Sequence, residues 1–261
     1  MQHGYAIAAI ARYTLIEARR TRLPLLLGLA IGAVFLIAAF AAQLAIIEGA
    51  RVQTAVYAAG MRLAAVCIAA FCVLASVTRE FNDKGLDVLL ALDIPRSHYI
   101  LGRLAGFIAL GALIAAAASL PLFALASPMA VLQWGFSLAL ELAVIGALAL
   151  FCVITFSQLP GAAAFVLAFY ALARSLAAMR LISANPVSGA ESWPHQVMVW
   201  LTEGLALVMP ALDRWTQTAW LVNDPAALDV ISVIARLSGE ALLYIALLAA
   251  AAMFDFHRRN F

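Results

Sequence analysis

The chain reads as an all-α polytopic membrane protein with six transmembrane helices, and three observations lead there. Hydrophobic residues make up 66% of it and charged residues only 11%, with a mean hydropathy of +1.01. A soluble domain carries about 45–50% and about 25% of these. Apolar runs of about 18 residues or more recur along the chain, each long enough to cross a hydrocarbon core about 30 Å thick as a helix. The basic residues flank these runs instead of forming a patch, so the formal net charge of +2 does not suggest a nucleic-acid partner.

Residues 1–22 place Ile7, Ile10, Tyr13 (or Thr14) and Ala18 at helical spacing, opposite Arg12, Glu17, Arg19 and Arg20. This amphipathy predicts an N-terminal interfacial helix, its basic side toward lipid head groups. The first span, 23–47, is broken only by Gln43. It is too long for a cleavable leader and lacks the small-residue cleavage pattern. Gly28 and Gly32 stand four apart in it, a spacing that lets helices approach closely. A polar exit from Glu48 leads to the second span, 56–78, with Arg62 expected to snorkel at its outer end. The third span, 104–126, contains Pro121, predicted to kink its outer third. A brief turn precedes the fourth span, 134–156, and the fifth is 162–182.

Residues 183–229 differ in texture. Pro186, Pro194, Pro210 and Pro225 punctuate them, and Glu191, Glu203, Asp213, Asp224 and Asp229 lie among them. The apolar run inside is too interrupted for a full span, which predicts outer re-entrant helices before the last span. Non-helical backbone at membrane depth needs burial in protein or contact with water. The sixth span, 230–254, holds Arg236 and Glu240 four apart, where each can neutralise the other.

Arginine counting sets the orientation. With the N-terminus inside, ten of the sixteen basic residues fall on inner segments: Arg12, Arg19, Arg20, Arg22, Arg79, Lys84, Arg96, Arg103, Arg258 and Arg259. The positive-inside rule then puts both termini and the 79–103 loop in the cytoplasm and 183–229 outside.

Several chemistries are disfavoured. No G-x-x-x-x-G-K-[ST] occurs, and Lys84 is the only lysine, so no ATP-binding P-loop is read here. His3, His98, His195 and His257 lie outside the expected spans, which argues against intramembrane haem or zinc. Ser188 lacks the setting of a nucleophile elbow, and the chain is not read as an enzyme. Cys67, Cys72 and Cys152 sit in apolar runs as small hydrophobes, and Cys67 and Cys72, five apart, are expected to point in different directions. Two ionisable groups do lie inside spans, Glu141 and Arg174. Such groups usually pair or face a polar cavity, so these two either lock helix packing as an ion pair or line a substrate path.

The longest polar interruption among the first five apolar runs is 79–103. Arg79, Glu80, Asn82 and Asp83 are expected to be solvated, and Gly85 marks a turn. Leu86, Leu89, Leu90 and Ala91 then form an apolar stripe on a short helix, with Asp87 opposite. Pro95 breaks that helix, because proline disfavours helical backbone in the residue before it. Ser97 can cap the next helix, which leads into the third span. A greasy stripe on a polar loop calls for a protein groove or the membrane surface.

The pattern Glu80, Gly85, Leu86, Leu89, Leu90, Pro95, Arg96, Ser97, Tyr99, Gly102 and Arg103 resembles the cytoplasmic loop of ABC-2 type permeases. The basic lead into the first span and the broken region around residues 209–214 are similar to that family as well. Asp93 and Ile94 depart from it, where small or polar residues are commoner. The resemblance implies the membrane subunit of an ABC exporter in a bacterial inner membrane. It would pair with a second copy or a related permease and sit on two copies of a separate ATPase that binds ATP and Mg. Residues Glu80, Gly85, Leu86, Asp87, Leu89, Leu90, Pro95 and Arg96 would form the coupling helix and its approaches. Membrane lipids and a periplasmic companion are further expected partners, and the chain itself would bind no cofactor. The alternative is a membrane scaffold or assembly factor that recruits a cytoplasmic protein with the same loop and moves nothing.

Overall fold

The computed structural model describes residues 2–82, 96–156, 158–184, 193–223 and 230–258. Among them all regular structure is helical. The helices are α1 (Gln2–Arg20), α2 (Leu23–Leu44), α3 (Gly49–Asn82), α4 (Arg96–Ser119), α5 (Pro128–Phe156), α6 (Leu159–Ala184), α7 (Trp193–Val208), α8 (Ala219–Asn223) and α9 (Val230–Arg258). Six helical stretches are long and apolar enough to cross a membrane: Leu23–Leu44, Gly49–Asn82, Ser97–Ala124, Pro128–Phe156, Leu159–Ile182 and Val230–Arg258. The chain is thus a multi-pass helical protein in outline.

The prolines sit where helices tolerate them. Pro24 and Pro160 lie in the first turns of α2 and α6, and Pro128 begins α5. There the missing N–H removes no intrahelical bond. Pro121 does not bend a continuing helix: α4 ends at Ser119, and Leu120–Ala124 tightens into a 3-10 turn with the proline at its start. Several elements exceed the expected bounds. The α2–α3 connection is only residues 45–48, with Glu48 at φ 58. The second long apolar helix, α3, therefore starts at Gly49, which leaves Arg62 in its interior and not at its end.

α5 is the axis of the bundle. Of its most apolar stretch 78% of residues are buried, against 6% in α2. It packs on α3, α4, α6 and α9, while among the described residues α2 leans mainly on α3 apart from its elbow with α1. Exposed Leu25, Leu29, Leu36 and Phe40 cover the outer side of α2, as suits a helix bordered by lipid.

α1 packs along α4. A Cβ added at Gly102 would meet Ile10 Cβ at 2.7 Å, and one added at Gly106 would meet Thr14 Cβ at 2.7 Å. The four-residue glycine spacing that brings two helices together is therefore Gly102 and Gly106. Gly28 and Gly32 have nothing within 4 Å of an added Cβ. Thr14 and Ala18 form the buried side of α1, with Arg12, Arg19 and Arg20 exposed. Glu17, expected on the outer polar face with these arginines, turns inward instead.

Candidate functional site

Two polar nodes interrupt the apolar packing, one at the α1 end of the bundle and one toward the far end. The first is built on Arg103, which is 1% exposed. Its Nη1 donates to Glu17 Oε2 at 3.0 Å and Thr14 Oγ1 at 3.1 Å, both on α1. Nε donates to Glu80 Oε2 of α3 at 3.0 Å, and Nη2 makes a further short contact with the same oxygen. Ser76 Oγ donates to Glu17 Oε1 at 2.8 Å, and the Tyr99 hydroxyl donates to Glu80 Oε2 at 2.6 Å. The Tyr13 and Phe107 rings lie 5.9 and 5.8 Å from the guanidinium carbon. Tyr99 also stacks on Phe256, centroids 5.9 Å apart, which carries the node to α9.

This node is a planar cation between two carboxylates, with the Thr14 and Ser76 hydroxyls accepting from it as well. Arg suits that place because its fork of N–H groups is rigid and always charged. Glu80, expected to be solvated, is instead part of it, its side chain only 12% exposed. The glycines allow the geometry, since a close α1–α4 approach brings Thr14 and Glu17 within reach of Arg103.

The second node surrounds Thr216, in the irregular stretch between the 3-10 turn Leu212–Arg214 and α8. Thr216 is fully buried with φ 44, left-handed backbone that a β-branched residue adopts only under constraint. Every polar group it carries is engaged. Its N–H donates to Ser137 Oγ at 2.8 Å, its hydroxyl to Glu141 Oε2 at 2.6 Å, and its carbonyl accepts from Arg62 Nη1 at 2.8 Å. Arg174 Nη1 donates to the Trp215 carbonyl at 3.0 Å and makes a shorter contact with that of Leu212. Trp215 Nε1 donates to Glu240 Oε2 of α9 at 3.1 Å. Arg236, the neighbour expected to neutralise Glu240, lies 4.0 Å from it with its side chain 56% exposed.

Glu141 and Arg174 therefore share a node, but no ion pair joins them among the described residues. Arg174 spends its donors on backbone carbonyls. Glu141 is wholly buried, and the Tyr170 hydroxyl of α6 lies beside its carboxylate as well. The arrangement satisfies the condition for irregular backbone between spans, because two arginines from α3 and α6 supply what a helix would have supplied.

The remaining sequence-chosen residues divide simply. Gly85, Leu86, Asp87, Leu89, Leu90 and Pro95 lie outside the described residues, as does the side chain of Arg96. Ser76, Ser137 and Thr216 were not singled out, and Thr14 and Glu17 were read only as parts of an amphipathic helix. One signal for most of them was present: Thr14/Glu17, Ser76/Glu80, Tyr99/Arg103 and Ser137/Glu141 are polar pairs three or four apart on otherwise apolar helices. Among the described residues no three His, Cys, Asp or Glu side chains gather to hold a metal ion. No family model and no curated protein matches the chain.

Proposed function

We propose that the chain is the permease subunit of an ATP-binding cassette exporter, driven by a separate ATPase and working as a pair with itself or a related permease. The observation that carries this reading is the setting of the 79–103 stretch. The residues that resemble the ABC-2 loop at its two ends, Glu80 on one side and Tyr99, Gly102 and Arg103 on the other, meet in the Arg103 node. A loop rooted in that node is tied through one guanidinium to α1, α3 and α4. Force applied to its apolar stripe would reach three helices at once. In this reading the stripe of Leu86, Leu89 and Leu90 docks in a groove of the ATPase, and α1 lies along the cytoplasmic interface of a bacterial inner membrane. The 193–223 region would then cap the periplasmic side, dipping to the depth of Arg62, Glu141 and Arg174.

The test is to co-express the chain with any ATPase whose gene adjoins its own, purify the two and measure ATP hydrolysis in vesicles. Hydrolysis is expected to depend on this chain, and Leu89→Arg or Leu90→Arg to remove that dependence while both proteins stay folded. A scaffold would instead recruit the same partner and leave its hydrolysis unchanged. Stimulation that survives both substitutions would place the docking surface elsewhere.

A further inference from the structure

Beside the Arg103 node, a cavity of about 450 Å³ opens between the α1–α2 elbow and the second half of α3. That size is within the range of about 300–1,000 Å³ common to small-molecule sites. Its wall changes character along α3. Cys67, Ile68 and Phe71 line one end and Ser76 and Arg79 the other, and Arg22 of the elbow lies on the facing wall. From Cys67 to Arg79 the wall runs about 18 Å at about 1.5 Å per helical residue. Both Cys67 and Cys72 line it, although their five-residue spacing had suggested different directions.

The cavity is open on its apolar side. Leu26 and Phe71 at its rim are 53% and 47% exposed. The charges along it are lopsided. Glu17 faces the cavity, but Arg103 holds that carboxylate at 3.0 Å. Arg22 and Arg79 are exposed, and neither takes part in an ion pair among the described residues. Two guanidiniums from opposite walls thus serve an otherwise greasy groove at the end of the bundle that α1 occupies.

We infer that this cavity binds an anionic phospholipid, with one acyl chain along Leu26, Ile68 and Phe71 and the head-group phosphate between Arg22 and Arg79. A purely apolar solute would make no use of the two cations. A free anion would make none of the long apolar wall. An anionic lipid uses both, and in a chain whose helices cross a bilayer it reaches the groove sideways from its own leaflet. The site needs only a membrane around the helices, whatever the loop 79–103 docks with. Its occupant would lie against Glu17 and Ser76 and so brace α1 on α3.

The full chain in mild detergent, offered phosphatidylglycerol or phosphatidylcholine of matched acyl chains, tests this by native mass spectrometry. One phosphatidylglycerol per chain is expected to stay bound at a collision energy that strips phosphatidylcholine. Arg22→Ala combined with Arg79→Ala is expected to weaken that binding about tenfold or more, the scale of two arginines near an anionic surface. Ala75→Trp, which fills the mouth and keeps both charges, is expected to block it. Millimolar inorganic phosphate should leave the lipid in place. Equal retention of the two lipids, displacement by phosphate, or unchanged phosphatidylglycerol binding in either folded variant would overturn the inference. Should the double arginine variant not fold, the Ala75→Trp measurement and the lipid comparison decide between the same two outcomes.

Discussion

Around Arg103 every partner is a side chain on a regular helix; around Thr216 half of the partners are backbone atoms of a segment without regular structure. One guanidinium faces two carboxylates in the first node. In the second, two guanidiniums face three carbonyls, and the buried carboxylate Glu141 accepts from a hydroxyl. The first node fastens helix to helix and makes α1, α3 and α4 one body. The second fastens a loop into a bundle that the helices have already formed. Buried charge thus does two different jobs in one chain. They should fail differently when a partner is removed.

The largest effect is expected from Arg103→Met. It leaves Glu17 and Glu80 close together and uncompensated, a loss of about 3–5 kcal/mol for breaking a buried pair. Thermal unfolding in detergent, followed by circular dichroism, should show it as a large global drop. Arg103→Lys should recover part of it, because an ammonium cannot serve both carboxylates in one plane. If Arg103→Met unfolds no earlier than Arg174→Met, the distinction between the nodes is gone.

Arg174→Met comes next, with about 1–3 kcal/mol for each buried carbonyl left without a donor. The change should be local. Limited proteolysis near 212–216 is expected to quicken while the helices melt nearly as before. Thr216→Val keeps the shape and removes the donor to Glu141, so a loss of about 1–3 kcal/mol is expected, with Thr216→Ser close to the wild type. Cleavage no faster in Thr216→Val than in wild type would mean that the hydroxyl does not hold the loop.

The smallest effects sharpen the comparison at the helix contacts. Gly102→Ala and Gly106→Ala should each destabilise by about 1–3 kcal/mol, since the new methyl must push α1 off α4 and loosen the grip on Arg103. Gly28→Ala and Gly32→Ala meet open space and should stabilise α2 by about 0.5–1 kcal/mol, the ordinary gain of Ala over Gly in a helix. Equal responses at the two pairs would contradict the placement of α1.

Much of the outline was legible before any coordinates. The apolar runs mark the six long helices because an 18-residue apolar stretch is a local property, visible without neighbours. The amphipathy of 1–22 was legible too, down to the choice between Tyr13 and Thr14, which packing settles for Thr14. The polar residues misled. Glu17, Glu80 and Arg103 sit at the ends of apolar runs, where charges usually meet water, and nothing local says that three helix ends converge. Arg62 reads as a membrane-edge residue for the same reason. Glu141 and Arg174 were recognised as costly charges inside spans, but not as partners of a loop forty residues away from Arg174 in sequence, near Leu212 and Trp215.

By itself the sequence determined which segments lie in an apolar surrounding and roughly how long they are, since that follows from the transfer free energy of each side chain. Tertiary structure alone decided which of two identical glycine spacings brings helices together, and which arginines meet carboxylates and which meet carbonyls. Those outcomes depend on distances between residues far apart in the chain. A guanidinium carries the same charge at Arg22, Arg62 and Arg103, and only what packing places opposite it gives it a role.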